Sequence, residues 1–309
     1  MILLRYIFKR FFYAIFVLIG VALVSFMLIH LAPGDPARLL LPDGTPEEEI
    51  NQLRETLGLN RPLHIQYYIF MTGLVRGDLG TSLFFRKPNV DLILERFPAS
   101  LKLTFTAVFG ALLFSLPLGI IAGYKQGSWI DIFAMFFTIT GQAMNTVWLG
   151  IILIFFFAVK LQVLPTFGYG EGNLLFLVLP AITLGLPLAS LVTRLARADT
   201  INVLSEDYIL NIRAKGIGEF KVMSRYVLRN ALIPVITIVG YQFARFIGAA
   251  VVTETLFSWP GIGSLVMFAI NGRDFPLVQA LIIFLASFVV IVNVVVDIIY
   301  TFVDPRLKF

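Results

Sequence analysis

Residues 11–31, FFYAIFVLIGVALVSFMLIHL, carry no charged side chain. A helix rises 1.5 Å per residue, so about 20 mostly apolar residues cross the roughly 30 Å of hydrocarbon in a bilayer. This stretch meets that requirement. Arg5, Lys9 and Arg10 precede it, as basic residues precede a secretory signal. Its apolar core is too long for a signal peptide, however, and His30-Leu31-Ala32 before Pro33-Gly34-Asp35-Pro36 is no Ala-x-Ala cleavage site. The expectation is an uncleaved first membrane helix.

Composition extends that reading to the whole chain. Of its 309 residues 58% are hydrophobic and only 14% charged, with a mean hydropathy of +0.89. A soluble domain carries about 25% charged residues, so this chain has too little charge to cover a water-soluble globule. Its 30 Phe residues suit lipid-facing surfaces. Soluble enzymes, nucleic-acid modules and disordered chains are thereby excluded. The absence of Cys removes disulfides, thiolate zinc sites and thiol nucleophiles.

Further apolar runs fall at about 101–124, 132–159, 174–193, 231–253 and 277–303. The fold class expected is an all-α integral membrane protein with six transmembrane helices. Run 132–159 is long enough to tilt or bend, and its middle (Thr138, Thr140, Gln142, Asn145) is polar for a lipid-facing surface. Between the first two runs, residues 32–98 hold nine acidic residues and read as a small extracytoplasmic subdomain. There Thr45-Pro46-Glu47-Glu48-Glu49 looks like a helix start, stopped at Gly58. Asp35 and Asp78 fall in turns. The division expected is 1–31 (N-terminus and first helix), 32–98 (subdomain) and 99–309 (five-helix core).

Lys and Arg set the orientation. Thirteen of the 24 lie at the N-terminus, at Lys125, in 194–230 and in the tail (Arg306, Lys308). Segment 161–173 has none and 254–276 only Arg273. Both termini are therefore expected in the cytoplasm, and the net charge of +5 is a topology mark rather than a sign of nucleic-acid binding.

The 194–230 loop is the one sizeable cytoplasmic feature. Ser205-Glu206-Asp207 reads as an N-cap followed by acids. Leu204, Tyr208, Ile209 and Ile212 give one apolar face, and Gly216 closes the helix. Beyond Gly218, Phe220, Met223 and Val227 form an apolar stripe beside Lys221, Arg225 and Arg229. Pro234 marks entry into the fifth span. Such a helix–glycine–basic segment suits either a partner protein or the lipid headgroups.

The sequence Asp207-Tyr208-Ile209 … Arg213-Ala214-Lys215-Gly216 … Leu228-Arg229-Asn230-Ala231-Leu232-Ile233-Pro234-Val235 resembles the cytoplasmic signature loop of permeases in binding-protein-dependent ABC importers. The form is similar to the dipeptide/oligopeptide/nickel branch. Other blocks agree: Pro33-Gly34-Asp35-Pro36, Leu57-Gly58-Leu59, Arg61-Pro62-Leu63, Gln66-Tyr67, Gly77-Asp78-Leu79-Gly80, Trp259-Pro260-Gly261-Ile262-Gly263, Arg273-Asp274-Phe275-Pro276, and Val296-Asp297-Ile298-Ile299-Tyr300 … Asp304-Pro305-Arg306. The outer segment resembles that of the first of the two permeases such systems encode. One departure is Asn211-Ile212, where the family commonly has Thr-Ala.

The resemblance implies the type I importer permease fold in a bacterial or archaeal cytoplasmic membrane. It implies a second homologous permease, two ATPase subunits and an extracytoplasmic solute-binding protein as partners. No phosphate-binding Gly-x-x-x-x-Gly-Lys-Ser/Thr occurs, so ATP and Mg belong to the partner subunits and this chain is no enzyme and needs no cofactor. Glu206, Tyr208, Ile209, Ile212, Arg213, Ala214, Lys215 and Gly216 are the expected ATPase-docking residues. Charged or polar residues within spans make Arg245, Gln142 and Asn145 pathway candidates, against snorkelling or interhelical bonding. Glu254, Trp259, Pro260, Gly261, Arg273 and Asp274 suggest an outer gate or binding-protein contact, a re-entrant turn covered by protein. Asp297 reads as a structural partner for a basic residue.

An intramembrane hydrolase would need a dyad that His30 and His64 are badly placed to supply. A secondary transporter or channel is the stronger rival, but inverted repeats and several buried charges are not evident. A pathway with few charges suits small peptides. Glutathione, nickel chelates and oligosaccharides are the alternatives within the family.

Overall fold

A computed structural model describes residues 2–31, 38, 44–56 and 60–303. Pro33-Gly34-Asp35-Pro36, Leu57-Gly58-Leu59, Asp304-Pro305-Arg306 and Lys308 lie outside the described residues. The described elements are helical apart from one isolated bridge, Thr81–Pro88. They are α1 (Ile2–Leu31), α2 (Glu47–Thr56), α3 (Leu63–Val75), α4 (Asn89–Tyr124), α5 (Trp129–Ala143), α6 (Thr146–Leu153), α7 (Leu175–Leu204), α8 (Asp207–Ala214), α9 (Leu228–Leu256), α10 (Ile262–Asn271) and α11 (Phe275–Val303). Wider π-helical turns, Ile154–Lys160 and Val222–Val227, follow α6 and precede α9.

Among the described residues three helices (α4, α7 and α11) are long and apolar enough to cross a membrane, or up to five spans if each of two bent pairs counts as one. In α1 the described apolar part is Phe12–Met27. The first bent pair is run 132–159: α5 and α6 meet at 112°. Met144 and Asn145 are both extended there, and the Asn145 side chain accepts a 2.8 Å hydrogen bond from Val147 N, capping α6. The second is α9, which begins before Pro234 rather than at it. The ring sits inside the helix at a 41° bend, as a missing N–H and a crowded carbonyl require.

Two other boundaries differ from the hydropathy runs. α4 starts at Asn89, whose side chain donates to Leu79 O at 2.8 Å and is fully buried. α7 continues through Arg194 and Arg197 to Leu204, because Thr193, Ala196 and Thr200 extend its buried face among charged neighbours.

The described residues fall into two compact units, one within Met1–Pro98 and Ser264–Ile291, the other within Ala99–Gly263 and Val292–Lys308. Residues 264–291 group with the N-terminal part, and their partners explain why. The buried Asp274 carboxylate accepts from Ser82 Oγ (2.5 Å) and from Leu83 N and Phe84 N (both 3.2 Å). Phe97 meets Phe284 and Phe288 edge-on at 5.1 Å, a favoured aromatic geometry. Within this unit Asp78 accepts from Gly80 N at 2.8 Å, the turn expected of it.

The other unit is built on Leu103, Leu184, Leu188, Val192, Val235, Phe246 and Trp259. Its helices approach closely where side chains are smallest. A Cβ at Gly185 of α7 would stand 2.7 Å from Ala107 O of α4. Small residues allow that approach between membrane helices.

Candidate functional site

Most candidate residues lie in two stretches of the chain, before α9 and at its end, with Arg245, Gln142 and Asn145 apart from both. The first is the 205–230 loop. α7 ends at Ser205, whose hydroxyl donates back to Asn202 O at 2.7 Å. The N-cap of α8 is therefore Glu206, in extended conformation, and not Ser205 as the sequence suggested. At the other end Gly216 has φ +74°, and its N–H bonds to Arg213 O at 2.9 Å. A left-handed residue is what a helix C-terminus of this kind needs, and glycine reaches it without a Cβ clash.

The apolar face splits in two. Ile209 is fully buried, as are Val222 and Val227, and braces the loop from inside. Glu206, Tyr208, Ala214, Lys215 and Gly216 are exposed, and Ile212 and Arg213 are half-buried. Arg213 pairs with Glu219 at 2.8 Å, tying α8 to the segment after the glycine turn. Asn230 Nδ2 donates to the Tyr208 hydroxyl at 3.3 Å. Partial desolvation of the phenol, reinforced by the Glu206 charge, pushes Tyr208 above its ordinary value, so it remains a neutral hydroxyl. Phe220, expected to lie in an apolar stripe with Met223 and Val227, is instead 88% exposed, and Leu210 is 58% exposed. Lys221 and Arg225, near Phe220 in sequence, are exposed as well.

The second group is the turn after α9. Glu254 is fully buried; its carboxylate accepts from Ser100 Oγ (2.6 Å) and from Gly263 N (2.7 Å). Ser100 Oγ in turn accepts from Ile262 N at 2.7 Å. Trp259, only 1% exposed, donates from Nε1 to Ala99 O at 2.9 Å and meets Tyr169 edge-on at 4.8 Å. A Cβ at Gly261 would run into the Glu254 carboxylate, so glycine alone fits there. Glu254, Trp259, Gly261 and Asp274, expected at an outer gate or binding-protein contact, are all buried. Pro260 is half-buried, and of this set only Arg273, at φ +53°, is exposed.

Arg245 lies exposed on α9, with its guanidinium carbon 6.0 Å from the Tyr241 ring centre and Nη1 3.5 Å from Gln242 Oε1. Its nearest partners are thus on its own helix. Gln142 is exposed at the end of α5, and Asn145 is occupied as a cap. Ser100 and Phe220 were missed by sequence reasoning; an aromatic directly beside cations was the available signal for Phe220. Among the described residues no group of three or more His, Asp or Glu could hold a metal ion.

Two family profiles cover nearly all of the sequence. Residues 115–309 match the binding-protein-dependent transport system inner membrane component, and residues 3–104 match the N-terminal part of the same class of membrane component. The chain belongs to this permease family. It is 38% identical to the dipeptide transport system permease protein DppB of Alkalihalophilus pseudofirmus, over 99% of this chain and 100% of that one. It is equally identical to the glutathione transport system permease protein GsiC of Salmonella typhimurium, with the same coverage. Among solved structures it is similar in fold to a chain of the inward-facing MetNI methionine ABC transporter (TM-score 0.55, 16% identity, 70% of this chain and 97% of that one). The permease is thus a non-catalytic, multi-pass inner-membrane subunit of an ABC importer. It works with an ATPase and a binding protein, and ATP is bound by the ATPase.

Proposed function

We propose that this permease is the first of two homologous membrane subunits of an importer of di- and oligopeptides. Six spans, with both termini in the cytoplasm, would put residues 32–98 outside and the 205–230 loop inside. The second permease, two ATPases and an external solute-binding protein complete the complex. The observation that carries the peptide reading is full-length similarity to permeases named for a dipeptide and for glutathione, itself a tripeptide.

In this reading the exposed residues of the loop (Glu206, Tyr208, Ala214, Lys215 and Gly216, with the half-buried Ile212 and Arg213) dock on an ATPase. ATP-driven closure of the ATPases draws the 204–220 segments of the two permeases together and opens the pathway outward. Arg245, exposed at mid-helix beside Tyr241, faces the pathway and attracts a peptide carboxylate, since a charge held within a span is costly without a function. Gln142 lines the same route, and Asn145 shapes the α5–α6 break beside it. The turn 254–263 acts as an outer gate, braced from within by Glu254 and Trp259, while Arg273 and Pro260 touch the binding protein.

The test is reconstitution of the permease in liposomes with the second permease, ATPases and binding protein encoded beside it. Binding-protein-dependent uptake of a labelled dipeptide, driven by ATP, is expected. Uptake of glutathione alone would assign the second peptide reading. Uptake of neither, with a nickel chelate or oligosaccharide carried instead, overturns the peptide assignment; transport by the lone chain overturns the importer itself.

A further inference from the structure

The bidentate ion pair between Asp131 and Arg197 has no part in the roles assigned so far. Asp131 is in the first turn of α5, and its side chain is only 5% exposed. Arg197 of α7 reaches it from Nε to Oδ1 at 2.5 Å and from Nη2 to Oδ2 at 2.9 Å. Gly127 N donates to the same carboxylate at 3.0 Å, so the turn between α4 and α5 is gathered onto α7 as well. Paired hydrogen bonds of this kind fix orientation as well as distance, and at this low exposure solvent screens them little.

The surrounding packing points the same way. A Cβ at Gly119 of α4 would stand 2.6 Å from Thr193 O, and one at Gly123 would stand 2.7 Å from Thr200 Cβ and 2.8 Å from Arg197 O. A Cβ at Gly141 of α5 would run into the Ser190 hydroxyl. Ser190, Thr193, Ala196 and Thr200 are buried along one face of α7. Thus the last turns of α7 lie in glycine slots of α4 and α5, and the ion pair closes the joint. Only Ser205 and Glu206 then separate α7 from α8.

We propose that Asp131 and Arg197 are positioning residues for energy coupling. They lock the ends of α4, α5 and α7 nearest the docking helix into one block, so that a displacement of α8 moves three helices rather than bending one. This rests on the reading of α8 as the ATPase-docking helix. Close glycine packing lets the helices approach and sets their separation. A forked ion pair resists sliding, and that is its contribution here.

The experiment measures substrate taken up per ATP hydrolysed in proteoliposomes holding the complete importer. Arg197→Ala is expected to assemble and to hydrolyse ATP, with the uptake-to-hydrolysis ratio lowered at least fivefold. The double reversal Asp131→Arg with Arg197→Asp is expected to recover much of that ratio, which a general loss of stability could not produce. A wild-type ratio in assembled Arg197→Ala overturns the proposal, as does a double reversal no better than Arg197→Ala. Should Arg197→Ala fail to assemble, Arg197→Lys, which keeps the charge but loses the fork, decides: a lowered ratio supports the lock and a wild-type ratio overturns it. If the wild-type complex does not couple hydrolysis to uptake, the importer reading itself fails, a result distinct from any of these.

Discussion

The two ends of α9 solve opposite problems. After the helix, Glu254, Trp259 and Gly261 are buried, and Glu254 and Trp259 find their hydrogen-bond partners on α4, in Ser100 and Ala99. Before the helix, Phe220 and Leu210 stand bare beside exposed cations, while only Ile209, Val222 and Val227 turn inward. The turn after α9 finds its buried partners within the chain. The 205–230 loop leaves large apolar side chains uncovered, as the proposed docking on an ATPase would require. Motif residues therefore divide into those buried within the fold and those left exposed, and burial separates them where the sequence motif does not.

The largest effect that can break this division comes from Trp259→Ala. It removes a buried ring together with the Nε1 bond to Ala99 O, and large-to-small changes of an aromatic in a packed core cost about 3–5 kcal/mol. Phe220→Ala, at an exposed site, should stay within about 0.5 kcal/mol of wild type yet release the ATPase. Thermal melting of the detergent-solubilised chain and co-purification with the ATPase read the two effects separately. Equal losses of melting temperature for both variants would sink the contrast.

Ser100→Ala sharpens it at a smaller scale. The hydroxyl donates to Glu254 and accepts from Ile262 N, so its removal leaves a buried carboxylate short of a donor and a buried amide short of an acceptor. An unsatisfied buried polar group costs about 1–3 kcal/mol, and melting should fall accordingly with ATPase binding unchanged. A variant that melts like wild type but loses the ATPase would reverse the roles given to the two ends.

Hydropathy located the helices because a span must be apolar over its whole length, and it misplaced their ends for the same reason. The end of α7 carries the exposed Arg194 on its wetter side and Thr193, Ala196 and Thr200 against its neighbours, with Arg197 half-buried against α5; a window average sees only the sum. Glu254 and Asp274 read as outward-facing because their partners are remote: Ser100 is 154 residues from Glu254, and Ser82 is 192 from Asp274. No local pattern records such a pairing. Gly216 was legible, since a helix closing on a left-handed residue is a short-range event. The Asp131–Arg197 lock was visible only as two charges in otherwise apolar helices, with nothing local to join them.

The smallest effect separates two glycines of the same loop. Gly216 and Gly218 both have open space where a Cβ would go, so neither is needed for packing. They differ in backbone: Gly216 has φ +74° and Gly218 has φ −65°. A Cβ in the left-handed region costs about 1 kcal/mol or slightly more, whereas at Gly218 an added methyl only removes freedom from the unfolded chain. Gly216→Ala should therefore shift the end of α8 and weaken ATPase affinity by roughly fivefold, the equivalent of about 1 kcal/mol. Gly218→Ala should bind as wild type or slightly better. Titration of the solubilised permease with purified ATPase measures both, with melting temperature as the control. If the two variants weaken binding alike, the loop tolerates no methyl on its surface and docking is closer than its backbone geometry requires. If neither does, the left-handed turn serves only to end α8, and the partner reads the exposed side chains of Tyr208, Leu210 and Phe220 instead.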